Sequence, residues 1–174
     1  MFAGLAPMPE AAASQTMPVP TVDYEIHYRL AGKQTGTMVH RFSRSGGTFR
    51  MDITMGKERM SGVFELGGGP VRLWSPSMPG MVMRIEGARN GPPIGVSTGN
   101  SASALGERCE NWKTEGSLVC VAADGIPLGF ESEGVKATAI KIERKAQDAK
   151  LFIPPKGQEM VMPGGAAMRP PGPF

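Results

Sequence analysis

Val22-Asp-Tyr-Glu-Ile-His-Tyr-Arg-Leu30 sets apolar Val22, Tyr24, Ile26, Tyr28 and Leu30 in strict alternation with polar Asp23, Glu25, His27 and Arg29. Successive side chains of an extended chain point to opposite faces, so this period of two predicts a strand with one buried and one wet face. The same pattern recurs downstream. Gly32 to Gly36 turns the chain, and Thr37-Met-Val-His-Arg-Phe-Ser43 returns it. After Ser45-Gly46-Gly47, Thr48 to Thr54 alternates Phe49, Met51 and Ile53 against Arg50, Asp52 and Thr54. Short strands separated by glycine turns read as an antiparallel meander.

The meander is expected to continue through Gly62–Leu66, Val71–Trp74 and Met81–Glu86. Gly87 to Leu105, with Gly91-Pro92-Pro93 and Ser97-Thr-Gly-Asn-Ser101, has no sustained period and reads as a long loop with one short helical turn. Beyond it come a hairpin around Cys109 and Cys120, then Ile126–Phe130, then Val135–Arg144. Lys, Ala and Glu in that last stretch suit a helix, but its β-branched content favours a strand. Leu151-Phe-Ile153 is expected to be a short final strand, stopped by Pro154-Pro155. The fold class is therefore all-β and mainly antiparallel, a curled sheet or open half-barrel of roughly ten strands with one or two short helical segments at most.

Its 174 residues suit one domain. Residues 21–156 are assigned to it. Residues 1–20 read either as the end of a secretory signal peptide, with Ala11-Ala12-Ala13 resembling a cleavage site, or as a disordered arm outside the core. Residues 157–174, rich in Pro, Gly and Met, are expected to be disordered and to form no ladder.

Cys109 and Cys120 flank a strand–turn–strand pattern centred near Thr114–Gly116, which sets them almost opposite one another. Facing positions of that kind approach disulfide distance. Two cysteines cannot make a structural zinc site, and the spacing is not C-x-x-C. A disulfide implies an oxidising compartment and so an exported protein. The competing reading is a pair of unrelated buried thiols.

Composition removes several functions. A net charge of +3, with both signs interspersed and no dense Lys/Arg run, argues against nucleic-acid binding. No stretch approaches the roughly 20 apolar residues of a membrane-spanning helix. Among catalytic patterns, H-E-x-x-H is missing, and the histidines, His27 and His40, occupy polar phases of their strands. Gly67-Gly-Gly69 precedes a proline rather than a helix, so it is a turn and not a phosphate cradle. The expectation is a non-enzymatic protein without a cofactor.

Thirteen methionines are many for this length. Methionine is a flexible apolar filler suited to irregular ligands. Phe49, Met51, Phe64, Leu73, Met81 and Met83 sit at phases that can line the inner face, and they are the expected ligand-binding residues. Thioethers also bind copper(I). Met78, Met81 and Met83, with His40, form the alternative set. A third reading is a structural or interaction domain that pairs through a sheet edge.

Leu105-Gly-Glu-Arg-Cys-Glu-Asn-Trp-Lys113 and Val119-Cys-Val-Ala-Ala-Asp-Gly-Ile-Pro-Leu128 resemble a pattern of uncharacterised exported bacterial proteins. Ala149-Lys-Leu-Phe-Ile-Pro-Pro-Lys-Gly157 resembles the closing strand of periplasmic lipoprotein carriers of the LolA/LolB type. The resemblance covers mainly residues 105–157. It implies an open half-barrel whose concave face holds acyl chains, with an apolar or amphipathic small molecule or a lipidated protein as partner and transient contact with a membrane. The helices that cover that face in the carriers have no counterpart in this sequence.

Overall fold

The computed structural model describes residues 13–90 and 93–163. The expectations for residues 1–12 and 164–174 lie outside them. The strands are β1 (Gln15–Thr16), β2 (Tyr24–Gly32), β3 (Gly36–Ser43), β4 (Thr48–Met55), β5 (Glu58–Glu65), β6 (Gly68–Trp74), β7 (Met81–Asn90), β8 (Ile94–Ala104), β9 (Glu107–Thr114), β10 (Ser117–Ala122), β11 (Pro127–Ser132), β12 (Val135–Glu143) and β13 (Gln158–Pro163). All thirteen belong to one sheet in the order β1-β8-β9-β10-β11-β12-β2-β3-β4-β5-β6-β7-β13. The sheet is curled, open and mostly antiparallel, as the alternation of β2 implied.

Two meanders, β2 to β7 and β8 to β12, are joined by the antiparallel pairing of β12 with β2. β7 and β8 follow one another in the chain but stand in opposite arms of the sheet. β13 lies beside β7, and β1 lies beside β8. The inner faces of both arms contribute to one apolar cluster. Tyr24, Ile26, Tyr28, Met38, Phe42 and Phe49 come from the first arm, and Trp112, Val119, Val121, Leu128 and Phe130 from the second. Burying each Phe, Leu or Met of such a cluster stabilises the fold by roughly 1.5–3 kcal/mol.

The cysteines are bonded, with an S–S distance of 1.98 Å. They are diagonal rather than facing: Cys109 pairs with Ala122 and Cys120 with Asn111. Their Cα atoms are nonetheless 5.3 Å apart, within disulfide range. Closing a loop of this length contributes about 2–4 kcal/mol in the chain-entropy account.

Four expectations are corrected. Most of the expected loop at residues 87–105 is strand: β7 runs on to Asn90, and β8 occupies Ile94–Ala104. β8 lacks an apolar period because six of its residues in a row, Thr98 to Ser103, are exposed. Leu151–Ile153 is no strand; Ala149–Phe152 forms a single 3-10 turn capped by Asp148, whose carboxylate accepts from Lys150 N at 2.9 Å. Residues beyond Lys156 do form a ladder, since β13 pairs in parallel with β7 from Gln158↔Met81 to Pro163↔Glu86. Residues before Thr21 do enter the core: Met17, directly after β1, is 1% exposed.

That N-terminal segment is held at the Asp124-Gly125 turn, where Thr21 N donates to Asp124 O at 3.0 Å. Gly125 has φ +82°, and a Cβ there would lie 2.0 Å from Val19 O. Gly56 has φ +60° with open space around it. Gly56→Ala should therefore cost only the left-handed penalty of about 1 kcal/mol. Gly125→Ala should cost at least about 2 kcal/mol more, because the Val19–Pro20 backbone must move. Urea unfolding of the two variants measures the difference, and equal losses would show that the contact contributes nothing.

Candidate functional site

Register places the inner-face residues in rows across the first arm. Tyr24 faces Phe42, and Phe42 faces Phe49, which faces Phe64. The next row runs Ile26, His40, Met51, Gly62, Leu73, Met83 and Met160. Gly62 leaves room for Leu73, whose Cδ2 would be 2.7 Å from a Cβ there.

Phe49, Met51, Phe64 and Leu73 are buried, at 7% exposure or less. Phe49 stacks on Phe64 at 5.1 Å between centroids and packs on Phe42 at 4.6 Å. They form a floor filled by their own neighbours. Met81 and Met83 are only half-buried, at the β7 end of the sheet. The six expected lining residues thus divide into a packed floor and an accessible lip.

His40 is corrected from a polar-phase position to a core one, with 1% exposure. Its ring stacks on Phe49 at 5.3 Å, and Nδ1 shares a 2.9 Å hydrogen bond with the Tyr24 hydroxyl. Burial, with smaller contributions from Tyr28 and Asp124, raises the Tyr24 pKa well above the ordinary phenol value, so the hydroxyl keeps its proton. His40 is four strand-to-strand steps from Met83 along the sheet, about 19 Å at the usual spacing. Met78 lies in the turn before β7, where its N donates to Ser75 O at 3.0 Å.

The structure adds two residues that the sequence reading left out. Met160 pairs with Met83, and Met162 with Ile85. Register partners in a parallel pair share a face, so both extend the inner face onto β13. Met160 is 46% exposed. Met81, Met83, Met160 and Met162 therefore make an apolar strip where the sheet stays open. The Q-E-M-V-M alternation of residues 158–162 was the available signal, hidden by the prolines on either side.

The opposite face is charged. Arg41 donates to Glu25 at 2.8 Å and to Asp52 at 2.7 Å, while Arg50 and Ser61 also donate to Asp52. Residues 144–157 cross this face as a strap. Gln147 N donates to Asp23, Arg50 donates to Leu151 O at 2.6 Å, and Gln158 N donates to Gly80 O at 2.8 Å. Arg144 anchors the near end on Asp124 and Glu107, each at 2.6 Å. One cleft of about 360 Å³ lies beside the strap, between Arg72, Val82, Pro154, Pro155 and Glu159. A second, of about 280 Å³, lies between the Thr114–Ser117 and Ser132–Gly134 turns. Neither includes an expected site residue.

No family model matches the chain, and no curated protein does. Solved structures do. PNGF-II in its C2 crystal form is similar over 86% of this chain, with 12% identity and a TM-score of 0.57. Its P21 form is similar over 83%, with 11% identity and a TM-score of 0.53. What is shared is the fold. The chain spans 32% of the length of PNGF-II in both comparisons.

Burial raises the Asp52 pKa, but hydrogen bonds from Arg50 and Ser61 and the charges of Arg50 and Arg41 outweigh it and hold the carboxyl below its ordinary value. Glu25 is lowered too, with bonds to His27 and Arg41 overcoming burial. Carboxylates depressed in the folded state contribute fully above their unfolded pKa, and the contribution is lost as pH falls through the folded one. The unfolding temperature should therefore hold above about pH 5 and drop below about pH 4. Asp52→Asn should flatten that acid limb in a thermal scan from neutral pH downward; an unchanged slope would place the acid sensitivity elsewhere.

Proposed function

We propose that this chain is an exported, non-catalytic binding module that takes an alkyl or acyl chain along the methionine strip at the open end of its sheet. The observation that carries the reading is that the apolar inner face does not stop at the packed core. It runs on through half-buried Met81 and Met83 to Met160, which is 46% exposed.

From Met81 to Ile85 the strip is about 13 Å long, and it is two strands wide, about 5 Å between strand axes. Those dimensions match one extended hydrocarbon chain better than a protein surface. Thioether side chains adjust to such a chain without a preformed cavity. The packed floor of Phe49, Met51, Phe64 and Leu73 is the rigid support beneath the lip. A ligand of this kind needs no covering helix, because the hydrocarbon lies along an edge of the sheet. The bonded cysteines support a periplasmic address. Among the described residues no helix is long and apolar enough to cross a membrane.

Titration with a fluorescent fatty-acid analogue tests the reading, alongside native mass spectrometry of protein recovered without detergent. Saturable binding and a lipid-range adduct lost on denaturation are expected. Met83→Glu with Met160→Glu should weaken binding by about tenfold or more, since each buried methylene contributes about 0.8 kcal/mol and a charge removes that burial. Met83→Leu with Met160→Leu should retain it. A wild-type protein that never saturates would refute the proposal.

A further inference from the structure

We infer that Met81, Met83 and Met160 together form a thioether site for a soft monovalent cation, copper(I) being the natural occupant. Met83 and Met160 are register partners on neighbouring strands, about 4.8 Å apart. Met81 lies two residues earlier on the same face of β7, a further 6–7 Å or so along the strand. Each methionine has three rotatable bonds, enough for the three sulfurs to turn toward one point between the strands without backbone motion.

The surroundings select the class of ion. Glu159 belongs to the opposite face, where it pairs with Arg72 at 3.4 Å and Arg84 at 3.8 Å. Glu86 is likewise paired with Arg84, at 2.8 Å. Among the described residues, no group of three or more His, Cys, Asp or Glu is placed to hold a metal. Hard or borderline divalent ions therefore find no carboxylate or imidazole set, whereas thioether sulfur favours copper(I). The exposure of Met160 gives the ion a route from solvent. The ligand set differs from the one drawn from sequence: Met160 replaces His40, which stands in the core, and Met78, which stands in the preceding turn.

This site shares the strip of the proposed function but does not depend on it, because leucine preserves apolar surface and removes sulfur. The full chain is titrated anaerobically with copper(I) against a chromogenic copper(I) chelator, and with silver(I) as a redox-inert stand-in. The wild type should withdraw about one equivalent, and Met83→Leu with Met160→Leu should lose about tenfold or more in affinity. The double variant should unfold at a urea concentration close to that of the wild type, since methionine and leucine are similar in volume, so lost affinity reports lost sulfur. With ¹³C-methyl methionine labelling, silver(I) should move the Met81, Met83 and Met160 signals together. No withdrawal from the chelator, undiminished affinity in the leucine variant, or methyl shifts confined to other methionines would each overturn the assignment.

Discussion

The pairing of β12 with β2 makes the two meanders one sheet. Its register runs from Val135↔Gly32 to Glu143↔Glu25, with an irregularity between Ala139 and Lys141. The approach is close at the start of this ladder, where a Cβ on Gly32 would lie 2.1 Å from Gly134 O, and Gly32 adopts φ +108°. Apart from the flanking pairs β1–β8 and β7–β13, every other pairing joins strands adjacent in the chain. The β12–β2 ladder spans more than a hundred residues of sequence, so its loop-closure entropy must be met before the inner faces of the two arms can bury one another.

Once the arms meet, the two faces of the sheet divide the labour. Inside, aromatic rings and methionines fill the space between them. Outside, Glu25, Arg41, Asp52 and Arg50 neutralise one another across three strands, and the strap covers them. The strap has a geometric role as well. It carries the chain from the end of β12 to the far side of β7, which is why β13 arrives parallel to β7 rather than folding back as a hairpin. The accessible methionine strip exists because of that route.

Much of this was legible in the sequence wherever burial was one-sided. The alternation of β2, β3 and β4 marked the inner phase, and Phe49, Met51 and Phe64 were placed on the correct face. Polarity misled at His40. Its neighbours Met38 and Phe42 marked the position as inward, but an imidazole there needs a buried partner, and the Tyr24 hydroxyl that supplies it lies on another strand. β8 was illegible for the opposite reason: Ser, Thr, Gly and Asn carry no burial signal, and the strand is held largely by pairing to β9. β13 carried a short alternation in Gln158–Met162, but its pairing with β7 is set by the strap's path, which no local pattern encodes. The floor and the lip of the candidate site were likewise indistinguishable, since core and surface at an open sheet end use the same residues at the same phase.

The disulfide has a consequence for how the protein matures. Its two cysteines are the whole complement of the chain, and they are separated by eleven positions within the single hairpin of β9 and β10. Within one chain there is only one way to oxidise them. Formation therefore calls for an oxidant but for no isomerase, and the bond can close as soon as the hairpin has emerged, before β12 has found β2.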